Sequence, residues 1–335
     1  MAVAFPFDRV AFNMSKQPKV SVIIPFYNRK KHIKDCLTSV RQSTLRNIEI
    51  IFLDDGSTDD TYDFLYKIAS HDRRIKVIKA EHKGPYESRW VGLRAAKGEF
   101  IHFMDSDDTI DAEAYEECYS VCKDEKLDYL VFRCNPFIDE NHNETEAETS
   151  QSFATHYTLS DNCCDKTTSG MELMRMLMTN KCFFVGLPMR MIRRSIIEEE
   201  DFALCRAFYH ADNFYSVHWL SRAKRAMAIN RKFYNRRVHR NSITMNKGVE
   251  ERHVKSILQV IVAFLHSFTD GADYGGLAGG YLMRLARGLN RHTTHMSPAE
   301  ISVICEDALS TESPELGYFV KFLFFPLLNK LAKAF

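Results

Sequence analysis

The sequence predicts an α/β protein with a mostly parallel sheet, helices on both faces and a C-terminal helical region. Two observations carry this. Short runs that are apolar on both faces (20–24, 48–53, 75–78 and 100–104) alternate with stretches at helical spacing, as parallel strands covered on each side require. From Val254 onward the pattern is helical. The 335 residues, 45% hydrophobic and 27% charged, suit two domains or one large one. They exclude wholesale disorder, a collagen-like repeat and a disulfide-stapled miniprotein.

Val20-Ser21-Val22-Ile23-Ile24 is largely β-branched, and Pro25 is expected to stop it. Lys30 to Val40 carries Ile33, Cys36, Leu37 and Val40 on one helical face. Ile48 to Leu53 is a second buried strand, closed by Asp54-Asp55-Gly56. Ser57, Thr58 and Asp59 offer N-caps to a helix bearing Phe64, Leu65 and Ile68. Ile75 to Ile78 is a third strand, Glu87 to Ala96 a helix ended by Gly98, and Phe100 to Met104 a fourth strand.

Asp139 to Ser152 is acidic and aperiodic and predicts a loop. Its sequon Asn143-Glu144-Thr145 is a coincidence in a chain that shows no signal peptide. Amphipathic runs follow at Met171–Met178 and Asn213–Leu220. Arg222 to Arg240 holds eight lysines and arginines and no acid, which reads as a solvated cationic face or an anion site.

Forty-five basic residues against 44 acidic ones leave a net charge of +1, so no chain-wide basic field grips nucleic acid. The nine cysteines repeat no zinc spacing and read as reduced core thiols of a cytoplasmic protein. No uncharged apolar run of about 18 residues occurs, which argues against a simple membrane span. The tail Leu316–Phe335 is dense in phenylalanine and leucine, carries Lys321, Lys330 and Lys333, and is interrupted by Pro326. It suits a helix in a membrane interface, and equally one docked on the core or on a second copy of the chain.

In open parallel sheets, ligands bind beyond the carboxyl ends of the strands. Three polar clusters fall there: Pro25-Phe26-Tyr27-Asn28, Asp54-Asp55-Gly56-Ser57 and Asp105-Ser106-Asp107-Asp108. They are expected to converge on one crevice. Three carboxylates within four residues repel one another unless a cation neutralises them. Hard oxygen donors suit Mg2+ or Mn2+, which also bind phosphate oxygens; a capped helix start is the plainer alternative. Asp55, after a tight turn at Gly56, can accept hydrogen bonds from a base or ribose, and Tyr27 can stack on a base.

Taken in order, these motifs resemble the family-2 glycosyltransferases over residues 19 to 112, and again at Phe233-Tyr234-Asn235-Arg236-Arg237-Val238-His239-Arg240-Asn241-Ser242-Ile243-Thr244. The resemblance implies a GT-A (Rossmann-like) fold, a metal-dependent nucleotide-sugar site with Mn2+ or Mg2+, and inverting transfer from a donor such as a UDP-sugar. It places Pro25, Tyr27 and Asn28 at the nucleobase wall. It sets Asp55, helped by Asp54, on the base or ribose, Asp105 on ribose and metal, and Asp107 as principal metal ligand. Arg89 falls in the donor site, and Arg237, His239 and Ser242 close over the diphosphate, with Arg236 beside them.

Two positions depart from the family pattern. Trp90 stands where an amide is usual. In Tyr209-His210-Ala211-Asp212-Asn213-Phe214, Ala211 replaces a glutamate, while Asp212 keeps the aspartate expected to act as catalytic base. With no like charge beside it, Asp212 is expected to keep an unraised pKa. Glu198 to Asp201 is a fallback base cluster, read more simply as a solvated acidic run.

The implied organisation is an N-terminal extension (1–18), a nucleotide-sugar half (19–131), an acceptor half (132–250) and a helical region (251–335). The implied activity is hexosyl or N-acetylhexosaminyl transfer to a glycan or lipid-linked acceptor in surface-polysaccharide synthesis. It would take place in the cytoplasm or peripherally on the inner face of the cell membrane, with homo-oligomers allowed. The alternatives are an inactive nucleotide-binding scaffold and a sugar nucleotidyltransferase. The latter normally needs a glycine-rich loop that Asn28-Arg29-Lys30-Lys31 lacks.

Overall fold

A computed structural model describes residues 17–80, 82, 84–138, 144–198, 201–205, 207–239, 250–269, 281, 285, 296, 297, 300 and 303. Ser242, Asn143 of the sequon and the tail from Leu316 lie outside the described residues.

The elements β1 (Val20–Phe26), α1 (Ile33–Arg41), β2 (Ile48–Asp54), α2 (Thr61–Ala69), β3 (Ile75–Lys79), α3 (Pro85–Ala95) and β4 (Phe100–Phe103) follow the expected alternation. β3, β2, β1 and β4 lie side by side and parallel, with Val20 opposite both Ile48 and Phe100. Successive residues Val22, Ile23 and Ile24, like Ile50, Ile51 and Phe52, are fully buried, so both sheet faces are covered. Gly92 lets α3 close on β1, because a Cβ there would lie 2.5 Å from Ile23 Cγ2. That approach brings the first turns of α3 to the carboxyl ends of the strands.

Pro25 does not stop β1; the strand runs on to Phe26, with Pro25 opposite Leu53. Alternate residues of a parallel strand turn their peptide groups to opposite neighbours. Ile23 O accepts from Met104 N on the β4 side, and Phe26 O accepts from Asp55 N on the β2 side. Pro25 therefore presents its missing N–H toward β4, past the last β1–β4 pair of Ile23 and Phe103, where no ladder bond is lost.

The second half contributes β5 (Thr109–Ile110), α4 (Ala114–Asp124), β6 (Tyr129–Ile138), α5 (Glu144–His156), α6 (Gly170–Thr179), β7 (Arg190–Arg193), α7 (Asp201–Leu204), α8 (Ala211–Arg222), β8 (Ala226–Val238) and α9 (Glu250–Thr269). The eight strands form one sheet in the order β3-β2-β1-β4-β7-β6-β8-β5. β7 runs antiparallel to β4 and β6, whereas β6 and β8 are parallel. β5 pairs antiparallel with β8, Thr109 opposite Asn235, which carries the end of β8 to the acidic cluster. The expected division at 131/132 falls inside β6.

Where a loop was expected over 139–152, α5 begins at Glu144. Tertiary packing outweighs the weak periodicity: the Phe153 ring lies 5.8 Å from that of Tyr157, and the Arg236 guanidinium sits over Phe153 at 4.2 Å. α9 is built into the core through Leu258, Val260 and Ala263, and Phe264 meets Phe214 of α8 at 5.1 Å. The described cysteines, all but Cys305, are free and buried. Burial pushes the Cys134 and Cys205 thiols up to about 12, which keeps them unreactive. Among the described residues no helix is long and apolar enough to cross a membrane.

Candidate active site

The loops after β1 and β2 are tied together by Asn28. Its side-chain oxygen accepts from Thr58 N at 2.8 Å, and its own N–H donates to Ser57 Oγ at 3.0 Å. Gly56, at φ +80°, makes the tight turn that this requires. The Asp54 carboxylate accepts from Ser57 N at 2.9 Å inside that turn and is 2% exposed, so it builds the loop. Asp55 is equally buried; it accepts from Gly84 N at 3.1 Å and Ser88 Oγ at 3.1 Å, with His82 Nδ1 3.1 Å away. Tyr27 is 39% exposed, its ring 4.3 Å from that of His82. His82, which no motif singled out, thus joins Tyr27 and Asp55.

The acidic cluster after β4 divides three ways. Asp108 points inward, accepting from Tyr234 Oη at 2.5 Å and Arg237 N at 2.7 Å. Burial, reinforced by the charges of Asp107 and Asp105, pushes its carboxyl well above the usual range. Asp107 pairs through Oδ2 with His239 Nε2 at 3.0 Å and Arg29 at 3.8 Å. Burial alone would raise its pKa, but the His239 hydrogen bond and the Arg29 charge outweigh it and hold it below the ordinary value. Asp105, more exposed, receives Arg89 Nη2 on Oδ1 at 2.6 Å. Neither Asp107 nor Asp108 caps α4, which starts at Ala114.

Among the described residues no three metal-ligating side chains form a cluster. Asp105 and Asp107 each keep one carboxylate oxygen outside their pairings with Arg89, Arg29 and His239. Two hard oxygen donors fit an ion such as Mg2+ or Mn2+, which takes its remaining ligands from water and substrate phosphates. The residues present therefore fit a metal that arrives with a phosphorylated ligand.

The basic stretch divides: Lys224, Arg225, Arg231 and Lys232 are exposed, as a solvated face requires, whereas its end from Arg236 turns inward. Arg237 lies over the Phe137 ring at 4.7 Å, donates through Nε to Asp107 O at 2.9 Å and reaches Asp35 Oδ2 at 2.8 Å. His239 stands on Asp107, and its ring centre lies 4.9 Å from that of His32. Arg236 turns to α5, donating to the Tyr157 hydroxyl. Arg29, missed in the sequence, adds a cation that only tertiary structure brings to Asp107.

α8 begins after His210, which adopts φ 62°. Asp212 lies in its first turn; its N–H donates to Tyr86 Oη at 3.1 Å, and its Oδ1 accepts from Asn213 Nδ2 at 3.2 Å. Arg89, which holds Asp105, also lies over the Tyr86 ring at 4.8 Å. The Asp212 pKa is raised, contrary to the expectation from Ala211. Burial is the largest cause, and the nearby Arg89 and Arg190 charges offset it only in part. Desolvation raises the carboxyl without an adjacent glutamate, and the charge of Asp105 adds to it. Trp90 points elsewhere on α3, with Arg94 over its ring at 5.6 Å.

Asp201 is not part of a solvated run. It is fully buried and bonded to Arg222 Nη1 at 2.6 Å, Trp219 Nε1 at 2.8 Å and His218 Nε2 at 3.1 Å. Burial opposes its ionisation, yet the His218 bond and the Arg222 charge hold its pKa below the ordinary carboxylate value. The pairing therefore stabilises the fold above that value and is lost as pH falls below it. Asp201→Ala removes the acceptor shared by His218, Trp219 and Arg222, of which Arg222 keeps Glu198 at 3.2 Å, and is expected to cost about 2–3 kcal/mol of unfolding free energy, read by urea denaturation near neutral pH.

The glycosyl transferase family 2 model matches residues 21–201, more than half of the chain. Over 108 residues the chain is 43% identical to the putative glycosyltransferase EpsH of Bacillus subtilis, a match that covers 32% of this chain and 31% of that one. It is 26% identical over 263 residues to the uncharacterized glycosyltransferase YibD of Escherichia coli, covering 77% and 74%. A crystal structure of Staphylococcus aureus TarS residues 1–349 with UDP-GlcNAc superposes with a TM-score of 0.62 at 20% identity, covering 94% of this chain and 87% of that one. The fold is thus that of the GT-A enzymes, and the chain belongs to glycosyl transferase family 2.

Proposed function

We propose that this chain moves a hexosyl or N-acetylhexosaminyl group from a UDP-sugar to a hydroxyl of a glycan or lipid-linked acceptor, with inversion. One observation carries the reading. The carboxylate pair Asp105 and Asp107, with Arg89 and Arg29 beside it, is joined through Arg89 and Tyr86 to Asp212, a buried carboxylate of raised pKa. In-line displacement at an anomeric carbon needs a leaving-group site and a base on opposite faces of the sugar.

Tyr27 and His82 border the nucleobase end, and the UDP complexes of TarS support uridine there. Arg29, Arg237 and His239 surround Asp107, where a diphosphate gains negative charge as it departs. Asp105 and Asp107 would hold a divalent ion, which when bound supplies Lewis-acid stabilisation of that leaving group. Asp212 takes the proton of the acceptor hydroxyl as its oxygen bonds to the anomeric carbon. The bond from that carbon to the diphosphate oxygen breaks, and the electron pair stays with the nucleoside diphosphate. Asp54, Asn28 and Pro25 shape this pocket from behind. Surface-polysaccharide synthesis at the inner membrane face is what the family resemblance implies.

The test is a panel of UDP-, GDP- and dTDP-sugars with Mn2+, Mg2+ or chelator, assayed for released nucleoside diphosphate. Metal-dependent release of UDP from one donor is the expected result. UDP binding by calorimetry without turnover, acceptor extracts included, would establish the scaffold reading instead.

A further inference from the structure

The C-terminal region does more than extend the core, because it grips the start of α8, which carries Asp212, and the residues just before it. Ser256 Oγ on α9 accepts from Tyr209 N at 3.2 Å. His253 stacks on Tyr209 at 4.5 Å, and its Nδ1 meets His210 Nε2 at 2.9 Å. Tyr281, 1% exposed, donates to Asn213 Oδ1 at 2.7 Å. At its other end Asn213 Nδ2 faces two acceptors, His210 O at 2.9 Å and Asp212 Oδ1 at 3.2 Å. Two acceptors at one end require the NH2 group there, which turns the amide oxygen to Tyr281 and makes Tyr281 the donor.

We propose that Asn213 and Tyr281 are positioning residues for Asp212: Tyr281 fixes the Asn213 amide, whose NH2 holds Asp212 Oδ1 and leaves Oδ2 to the acceptor hydroxyl. Residues more than sixty positions downstream thereby set the orientation of the base. This rests on reading Asp212 as the base. An N–H donated to a carboxylate favours its charged form, so loss of the relay raises the Asp212 pKa. Among the described residues, the other ionisable groups around Asp212 are Tyr86 and Arg89 of α3, Arg190 of β7, Asp105 after β4, Tyr157 after α5, and Cys205 and His210 before α8. The substitutions below leave them in place.

Full-length protein labelled with 13C at aspartate carboxyls is titrated by NMR, the Asp212 signal being identified by its loss in Asp212→Asn. Tyr281→Phe keeps the ring contacts with Phe183 at 5.8 Å and Phe264 at 5.7 Å. The expected result is a midpoint about 0.5–1 unit higher in Tyr281→Phe and in Asn213→Ala, with no further rise in the double variant. UDP release from UDP-GlcNAc, UDP-glucose and UDP-galactose is measured alongside, with kcat expected to fall about five-fold at constant KM for the hydrolysed donor. An unshifted midpoint in Tyr281→Phe overturns the relay. A shifted midpoint with full UDP release by Asp212→Asn instead overturns Asp212 as base, and with it the catalytic purpose of the relay.

Discussion

Asp212→Asn is expected to lower the transfer rate about 10³-fold, with the donor KM nearly unchanged. The substitution keeps size and the Asn213 contact but removes the only proton acceptor at that point of the crevice that the mechanism uses. A positioned general base supplies a factor of about 10²–10⁴, and a buried carboxylate of raised pKa lies toward the upper part of that range. The pH dependence has a definite sign. Asp212 must be deprotonated to act, so the rate falls on the acid side as pH drops through its pKa. Burial places that limb above the ordinary carboxylate value of 3.8. The asparagine variant should lose the limb altogether, which a pH–rate profile of UDP release reads directly.

Asp107→Ala has the second-largest expected effect, a loss of about 10² in UDP release with the response to added Mn2+ abolished. Its carboxylate pairs with His239 Nε2 at 3.0 Å and with the Arg29 guanidinium at 3.8 Å. Without it, the Arg29 and Arg237 guanidinium groups still attract a diphosphate, so UDP binding in chelator should survive or tighten while turnover fails. Calorimetry with UDP, in chelator and in Mn2+, separates the two effects. Because Asp107 is held below the ordinary carboxylate pKa, it adds no second acid limb above that value.

The parallel half of the fold is legible in sequence because its strands are covered on both faces, and Val22 to Ile24 or Ile50 to Phe52 leave no other reading. That topology brings the loops of Tyr27, Asp55, Asp105 and Asp107 to the same ends of the strands, where Asn28, Arg29, Ser88 and Arg89 tie them together. Proline at position 25 misleads because its effect depends on which neighbour its peptide faces, a property of the sheet. The helix over 144–156 is missed because Arg236, some eighty residues later, packs against its far end.

Charge environments are the least legible. Asp108 and Asp107 are adjacent in the chain, yet one faces Tyr234 in the core and the other His239 and Arg29 at the crevice, so their pKa values move in opposite directions. Asp201 reads as a surface acid until α8 brings His218, Trp219 and Arg222 onto it. Tyr86, Arg29 and Tyr281 belong to no local motif. Each acts on a residue distant in sequence, and a contact of that kind leaves no spacing signature.

The most direct test of the central claim, that donor and base oppose one another across this crevice, is a crystal structure of the full chain with UDP and Mn2+. The expected result sets the uracil between Tyr27 and the Asp55 loop and the β-phosphate beside Asp105 and Asp107, with its leaving oxygen turned toward the recess of Asp212. Nucleotide bound elsewhere, or a diphosphate directed away from Asp212, would contradict the claim.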